Sequence, residues 1–271
     1  MKIDYLKQIF VILLLIFISS ISFAQTDSTK SNFDLSIGAD IMSRYIWRGT
    51  EFGGGSPSIQ PSLALSFKNL EIGVWGAYST GGINASQEVD LYLDYTFLND
   101  MITVIFTDYY FPSDTANYNY FGYDKKTGHI GELGLMFNGT EKIPISFSAY
   151  VNLFGNDAQT LGDNPNDTTT FNLNTGIQYS NYFELAYNNT IKNIDLSIFL
   201  GFTFSNPKEK DTNSGFIGEA GFYGNEPGIV NLGITASKSI KITDSYSLPI
   251  TASLITNPQA KKIFLVFGIS F

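Results

Sequence analysis

The chain of 271 residues contains no cysteine and a single histidine. The first absence excludes a disulfide framework, a thiolate metal site, a cysteine nucleophile and a cysteine-borne lipid anchor. The second leaves no imidazole cluster with which to hold a metal. Charge is scarce as well, at 15% of residues against roughly 25% in an average soluble domain. Positive charge is the scarcer sign, with Lys+Arg 16 against Asp+Glu 25 and a net charge of -9. A nucleic acid would have to bind against that field, and it is set aside as a partner. Beyond Gln25 no run approaches the ~18 consecutive apolar residues of a membrane helix, and no stretch shows convincing 3.6-residue periodicity. What is plentiful is aromatic and turn-forming: Phe 23, Tyr 16 and Gly 25, a composition suited to many short strands joined by turns.

Residues 1–24 stand apart. Lys2 and Lys7 make a basic start, Ile9 to Ile18 is an uninterrupted apolar run, and Ser22-Phe23-Ala24 places small residues where a signal peptidase reads. The apolar run is short of the ~20 residues of a spanning helix. The expectation is a cleaved signal peptide over 1–24, a short periplasmic N-terminal segment over 25–32 and one β-domain over 33–271.

The repeating signal of that domain has period two. Phe33, Leu35, Ile37, Ala39 and Ile41 alternate with Asp34, Ser36, Gly38, Asp40 and Met42, and the pattern continues through Tyr45 and Trp47. It recurs in Val89, Leu91, Leu93 and Tyr95 against Glu88, Asp90, Tyr92 and Asp94, and in Ile145, Phe147, Ala149 and Val151 against Ser146, Ser148, Tyr150 and Asn152. Twelve segments follow this rule, near 33–48, 57–68, 70–79, 87–97, 101–111, 128–137, 144–154, 171–187, 194–204, 227–238, 246–256 and 261–271. An even number of strands about 9 to 11 residues long suits a transmembrane up-and-down antiparallel β-barrel. The connections alternate mostly long (49–56, 80–86, 112–127, 155–170, 205–226, 257–260) with tight turns, as in outer-membrane barrels, which puts both termini in the periplasm. A soluble sandwich or lipocalin-like barrel also alternates. It does not require aromatics at strand ends on the apolar parity, where Tyr45, Trp47, Phe67, Tyr78, Tyr95, Phe97, Phe137, Tyr179, Tyr187 and Phe204 stand.

Two stretches resemble known patterns. Ser43-Arg44-Tyr45-Ile46-Trp47-Arg48-Gly49, then Pro57, Ile59-Gln60-Pro61 and Glu71-Ile72-Gly73-Val74-Trp75-Gly76, resembles the opening of the Gcw_chp family of TorF-type porins. Val89-Asp90-Leu91-Tyr92 and Tyr182-Phe183-Glu184-Leu185 are similar too, the resemblance being strongest over residues 40–97. It implies a bacterial outer-membrane location and a channel role. The alternation Ile263, Leu265, Phe267, Ile269, Phe271 resembles the C-terminal signal through which the barrel assembly machinery recognises its substrates.

On the inward parity lie Asp34, Asp40, Glu71, Glu88, Asp90, Asp94, Glu132, Glu184 and Asp195 against Arg44, Arg48, Lys68 and Lys262. Twelve strands fall between barrels filled by side chains and those with an open pore, so a narrow or partly plugged lumen is expected. Ionised carboxylates require water or bases around them. Arg44 is expected level with Asp90 and Glu132, able to clamp two carboxylates. The result is a salt-bridge network or a cation-favouring constriction for small hydrophilic solutes. Inward Trp75, Tyr92, Tyr150 and Phe154 plug the lumen or offer stacking surfaces to a sugar-like solute.

Other readings carry less. Gly53-Gly54-Gly55 lacks the lysine and helix of a phosphate loop. Asp157, Asp163 and Asp167 lack calcium-loop spacing. A membrane-embedded hydrolase would have only His129 as its base, and no G-x-S-x-G occurs. No cofactor is implied. The competing class is a closed barrel whose loops bind an external partner, for which Tyr109, Tyr110, Phe111, Tyr118, Tyr120, Phe121 and Tyr123 supply an aromatic surface.

Overall fold

Alternation at period two sends successive side chains to opposite faces of a sheet, and a sheet long enough to curl can remove its edges only by closing on itself. The computed structural model describes residues 32–81, 86–113, 120–123 and 127–271. The expected signal peptide, and all of 25–32 but Asn32, lie outside the described residues. The strands are β1 Phe33–Met42, β2 Tyr45–Trp47, β3 Thr50–Phe52, β4 Ser58–Phe67, β5 Leu70–Ser79 and β6 Gln87–Phe97. They continue with β7 Ile102–Tyr110, β8 His129–Phe137, β9 Ile145–Gly155, β10 Gln159–Leu161 and β11 Asn174–Ile177. Last come β12 Asn181–Ile191, β13 Ile194–Thr203, β14 Gly228–Lys241, β15 Ser247–Asn257 and β16 Lys262–Ser270. No helix occurs among the described residues.

Twelve of these strands form a closed antiparallel barrel in the order β1-β16-β15-β14-β13-β12-β9-β8-β7-β6-β5-β4. β2 pairs only with β3, and β10 only with β11. The seam is closed by Asp40↔Ser270, Ile41↔Ile269 and Met42↔Gly268, and the Phe271 amide donates to the Ala39 carbonyl at 3.0 Å. At one end the joins are tight. Lys192 and Asn193, both at positive φ, link β12 to β13 in the two-residue hairpin turn that matches strand twist. At the other end the chain makes its long excursions, including 156–180 and 204–227.

The polarity of the barrel is inverted relative to a soluble one. Ile37, Ile72, Leu91, Leu93, Leu135, Leu185, Ile198 and Leu265 point outward and are exposed. Aromatic rings cluster outside at strand ends, Phe33 on Phe67 at 4.5 Å and Phe183 on both Phe202 and Phe204 at 5.3 Å. Inside, glycines leave room for rings from the neighbouring strand. Tyr92 lies over Gly73, Tyr150 over Gly134 and Phe199 over Gly233, where an added Cβ would meet ring atoms at 2.3 to 2.6 Å.

The following expectations need correction. The first predicted strand runs on to 48, but β1 ends at Met42, because Ser43-Arg44 bend the chain and Tyr45 to Phe52 leave the wall as the β2–β3 hairpin. Tyr45 and Trp47 therefore face inward and form no outer girdle. The eighth strand is Asn181–Ile191 instead of 171–187, since the alternation before it belongs to β11 and breaks at Tyr179, whose φ is 51°. Asn189-Thr190-Ile191, whose composition suggests a short turn, consequently lies in a strand, and the connection expected to be long at 257–260 is a tight turn over 258–261. Phe154, inward by simple alternation, packs on Phe106 and Tyr123, because the β8–β9 register slips between Gly131 and Glu132.

Candidate functional site

The β2–β3 hairpin turns at Arg48-Gly49, with φ of 48° and 77°, and its ladder is Tyr45↔Phe52, Ile46↔Glu51 and Trp47↔Thr50. Its strands have no ladder to the barrel wall, so side chains hold it. It crosses the lumen at the long-loop end. Tyr45 meets Trp75 of β5 with ring centroids 5.4 Å apart, and Trp47 meets Tyr109 of β7 at 5.4 Å. The tip reaches the far wall, where Asn257 Nδ2 donates to the Gly49 carbonyl at 3.3 Å. A Cβ on Gly49 would lie 2.1 Å from the Val230 carbonyl oxygen, so no larger residue fits between turn and wall.

Arg48 is the centre of the site. Its guanidinium donates to both oxygens of Glu132, at 2.5 and 2.9 Å, and to the Tyr223 hydroxyl at 2.5 Å. Tyr109 and Tyr223 donate their hydroxyls to Glu132, at 2.8 and 3.2 Å, so the carboxylate is fully engaged, with 2% of its side chain exposed. Aromatic faces enclose the cation: Tyr150 at 4.0 Å, Trp47 at 4.4 Å and Tyr182 at 4.7 Å. Tyr182 donates to Glu184, and Asn231 Nδ2 reaches Tyr182 at 2.9 Å and Glu184 at 3.1 Å.

Tyr223 arrives from the long connection 204–227, which is laced to the connection bearing β10 and β11. Glu219 accepts from the amides of Leu161 and Lys208 at 2.8 and 2.9 Å, and Lys208 Nζ donates to Asp163 at 2.6 Å. The Lys208 contact holds the Asp163 carboxyl below the usual carboxylate range. Burial pushes the Tyr223 phenol up, against the pull of Arg48, so it stays a donor.

A second inward group lies under the hairpin on β5 to β7. Register sets Trp75 beside Asp90 and Asp90 beside Tyr109, with Tyr92 one step further along. These residues and the hairpin's Tyr45 and Trp47 border a cavity of about 300 Å³. Toward the tight-turn end the inner wall is hydroxylic. Thr235 meets Ser253 at 2.8 Å, Ser237 meets Thr251 at 3.0 Å, and a chamber of about 590 Å³ opens beside Thr190, Asp195, Ser197 and Asn138.

A model of the family described as "bacterial protein of unknown function (Gcw_chp)" matches residues 26–198. The chain belongs to the Gcw_chp family. A comparison with curated proteins gives no match.

In this Gcw_chp barrel the residues singled out by sequence fall into separate groups. Glu132 and Tyr150 contact Arg48, and Glu184 is linked to it through Tyr182, whereas Trp75, Asp90 and Tyr92 border the cavity. Glu71 accepts from Ser66 at 2.7 Å and Tyr92 at 2.9 Å, opposite Asp94 in the ladder. Asp40 stands at the seam, half-buried. Arg44 does not clamp Asp90 and Glu132: carried off the wall by the bend, it pairs with Glu51 of its own hairpin at 2.9 Å. The clamp belongs to Arg48, in the turn of the same hairpin, and it grips Glu132. Ile263, Leu265, Phe267 and Phe271 are exposed on the outer face, and Ile269 is half-buried.

Tyr109, Tyr182, Tyr223 and Asn231 were not anticipated as a set. The available signal was Trp47-Arg48-Gly49-Thr50, a turn-forming pair between ring-bearing residues. Elsewhere the three loop aspartates are engaged separately, Asp157 with Asn152 and Ser180, Asp163 with Lys208, and Asp167 with Thr169 and Thr170. His129 is fully buried on the outer side, its Nδ1 2.9 Å from Asp108 and its Nε2 2.6 Å from the Tyr120 carbonyl. Tyr110, Tyr120 and Tyr123 pack around that ring.

Proposed function

We propose that this chain is a bacterial outer-membrane protein, exported through a cleaved signal peptide, with both termini periplasmic. Its barrel is a narrow passage for small hydrophilic solutes that favours cations, and the β2–β3 hairpin constricts its long-loop end. The observation that carries the reading is the pairing of an apolar, exposed outer wall with an acidic inner one. The outer wall has the polarity that lipid rewards and water penalises. On the inner side Arg48 answers Glu132, while Asp40, Glu71, Glu88, Asp90 and Asp94 face the interior and form no ion pair among the described residues. Carboxylates in a confined aqueous space attract cations and repel anions. The bilayer and, during biogenesis, the barrel assembly machinery are the partners this reading requires. No catalytic role is proposed, because the ring nitrogens of His129 are both engaged.

The test is conductance of the protein, purified in detergent from cells expressing the full chain, in a planar bilayer under a potassium chloride gradient. Discrete steps reversing on the cation side are expected. Steps reversing on the anion side would overturn the selectivity. Silence from a correctly folded, heat-modifiable barrel would overturn the passage and favour the second reading, an external partner at the loops, to which the exposed rings of Phe121, Tyr120 and Tyr123 belong.

A further inference from the structure

We propose that the cavity beneath the hairpin is a binding site for a small organic cation, an alkylammonium or quaternary ammonium group. This deepens the reading above by naming a class of solute, and rests on it only for the route of arrival. The cavity is about 300 Å³, at the small end of the ~300–1,000 Å³ range of small-molecule sites. Five of its lining residues are aromatic, Tyr45 and Trp47 from the hairpin and Trp75, Tyr92 and Tyr109 from the wall, and Asp90 is its acid. The phenols are already committed, Tyr92 to Glu71 and Tyr109 to Glu132, while Tyr45 faces Glu88. They offer the cavity ring faces in place of donors.

Asp90 and Glu88 are buried, 6% and 3% exposed, and neighbour each other on the inward face of β6. Among the described residues Asp90 Oδ1 and Glu88 Oε2 have no hydrogen-bond partner. Two adjacent carboxyls withdrawn from water without a base either share a proton or take up a positive charge. Arg48 does not supply it, being bound to Glu132 and Tyr223. An ammonium group beside Asp90 with its methylenes or methyls against rings satisfies both features, since ring faces attract cations and contact alkyl groups. A neutral sugar could use the Thr107 hydroxyl and the indole N–H groups of the lining but would leave the carboxyls without a counterion.

The chain's two tryptophans, Trp47 and Trp75, both line this cavity, so intrinsic fluorescence reports on it. The detergent-solubilised full-length product is titrated with tetramethylammonium chloride, with potassium chloride at matched ionic strength and glucose as references. A saturable emission change with tetramethylammonium alone is expected, weakened at least tenfold by Asp90→Asn and unaltered by Asp34→Asn. A linear response, equal saturation with potassium or glucose, or an unchanged midpoint in Asp90→Asn would overturn the proposal. Should Asp90→Asn lose its heat-modifiable fold, Trp75→Leu serves in its place: it must weaken binding tenfold, read from Trp47. Binding is measured without a membrane, so loss of conduction and loss of binding are separate failures.

Discussion

Replacing Glu132 by alanine is the sharpest perturbation of the plug. Among the described residues Glu132 is the sole carboxylate bonded to Arg48, through two hydrogen bonds of 2.5 and 2.9 Å, and both side chains are largely buried. Removing one partner of such a pair leaves a charge without its counterion at a cost of about 3–5 kcal/mol. The ring contacts of Arg48 with Tyr150 and Tyr182 persist, but contribute only ~0.5–2 kcal/mol each. The hairpin pairs only with itself. The lowest-cost response is therefore for β2–β3 to swing out and hydrate Arg48, leaving the twelve-strand ladder intact. At about 1.4 kcal/mol per tenfold, the equilibrium between seated and released hairpin shifts by roughly 140- to 3,700-fold. Open probability in planar bilayers should rise steeply while the barrel remains heat-modifiable. Arg48→Ala/Glu132→Ala should perturb less than the sum of its single variants, because neither leaves a lone buried charge in the pair. Unchanged open probability together with an unchanged urea midpoint in Glu132→Ala would refute the reasoning.

Other perturbations test other parts of the structure. Leu93→Arg, on the exposed outer face mid-strand, should lower stability in liposomes by about 2–4 kcal/mol; an unchanged unfolding midpoint would contradict a lipid-facing wall. Gly134→Val places its Cβ about 2.6 Å from the Tyr150 ring that supports Arg48. It should cost ~1–3 kcal/mol and raise conductance, whereas a silent substitution would mean that the ring does not seat the plug. Asp163 is held below its ordinary range by Lys208, so its contribution is present above the unfolded carboxylate value and is lost as pH falls through the lowered one. Limited proteolysis of 156–180 and 204–227 should accelerate only in strong acid, and Asp163→Asn should reduce that pH dependence, with the remainder left to Asp167 and Asp211, which are also held low; acceleration already near neutrality would contradict it.

The barrel was legible because its rule is local: each strand states by period two which face is apolar, and the closed sheet has the twelve segments that the alternation marks. The misreadings share a cause. Tyr45 and Trp47 continue the odd parity of Phe33 to Ile41, so nothing in the alternation separates a strand of the wall from a hairpin inside it. Phe171 to Ile177 mimics the start of β12 in the same way. Register slips are equally silent, and the one between Gly131 and Glu132 reverses Phe154. The acidic wall could be read residue by residue. Which carboxylate meets which base depends on contacts between residues far apart in sequence, Arg48 to Glu132 and Tyr223, that strand periodicity does not encode.

The proposed cation site and the plug are thermodynamically one object. Tyr45 and Trp47 supply part of the cavity and depart with the hairpin, so an ammonium ligand binds the seated state in preference to the released one. Preferential binding stabilises the seated state by RT ln(1 + [L]/Kd), about 2.7 kcal/mol at a hundredfold excess over Kd. Tetramethylammonium should therefore lower open probability by roughly a hundredfold at that concentration. It would act as a closing ligand, distinct from a blocker that merely interrupts an open pore. Linkage fixes the converse: Glu132→Ala, by depopulating the seated hairpin, must weaken apparent tetramethylammonium affinity by the fraction seated, although Glu132 does not border the cavity. If tetramethylammonium instead gives a voltage-dependent flicker with the same affinity in wild type and Glu132→Ala, cavity and plug are uncoupled, and the hairpin is a fixed part of the wall.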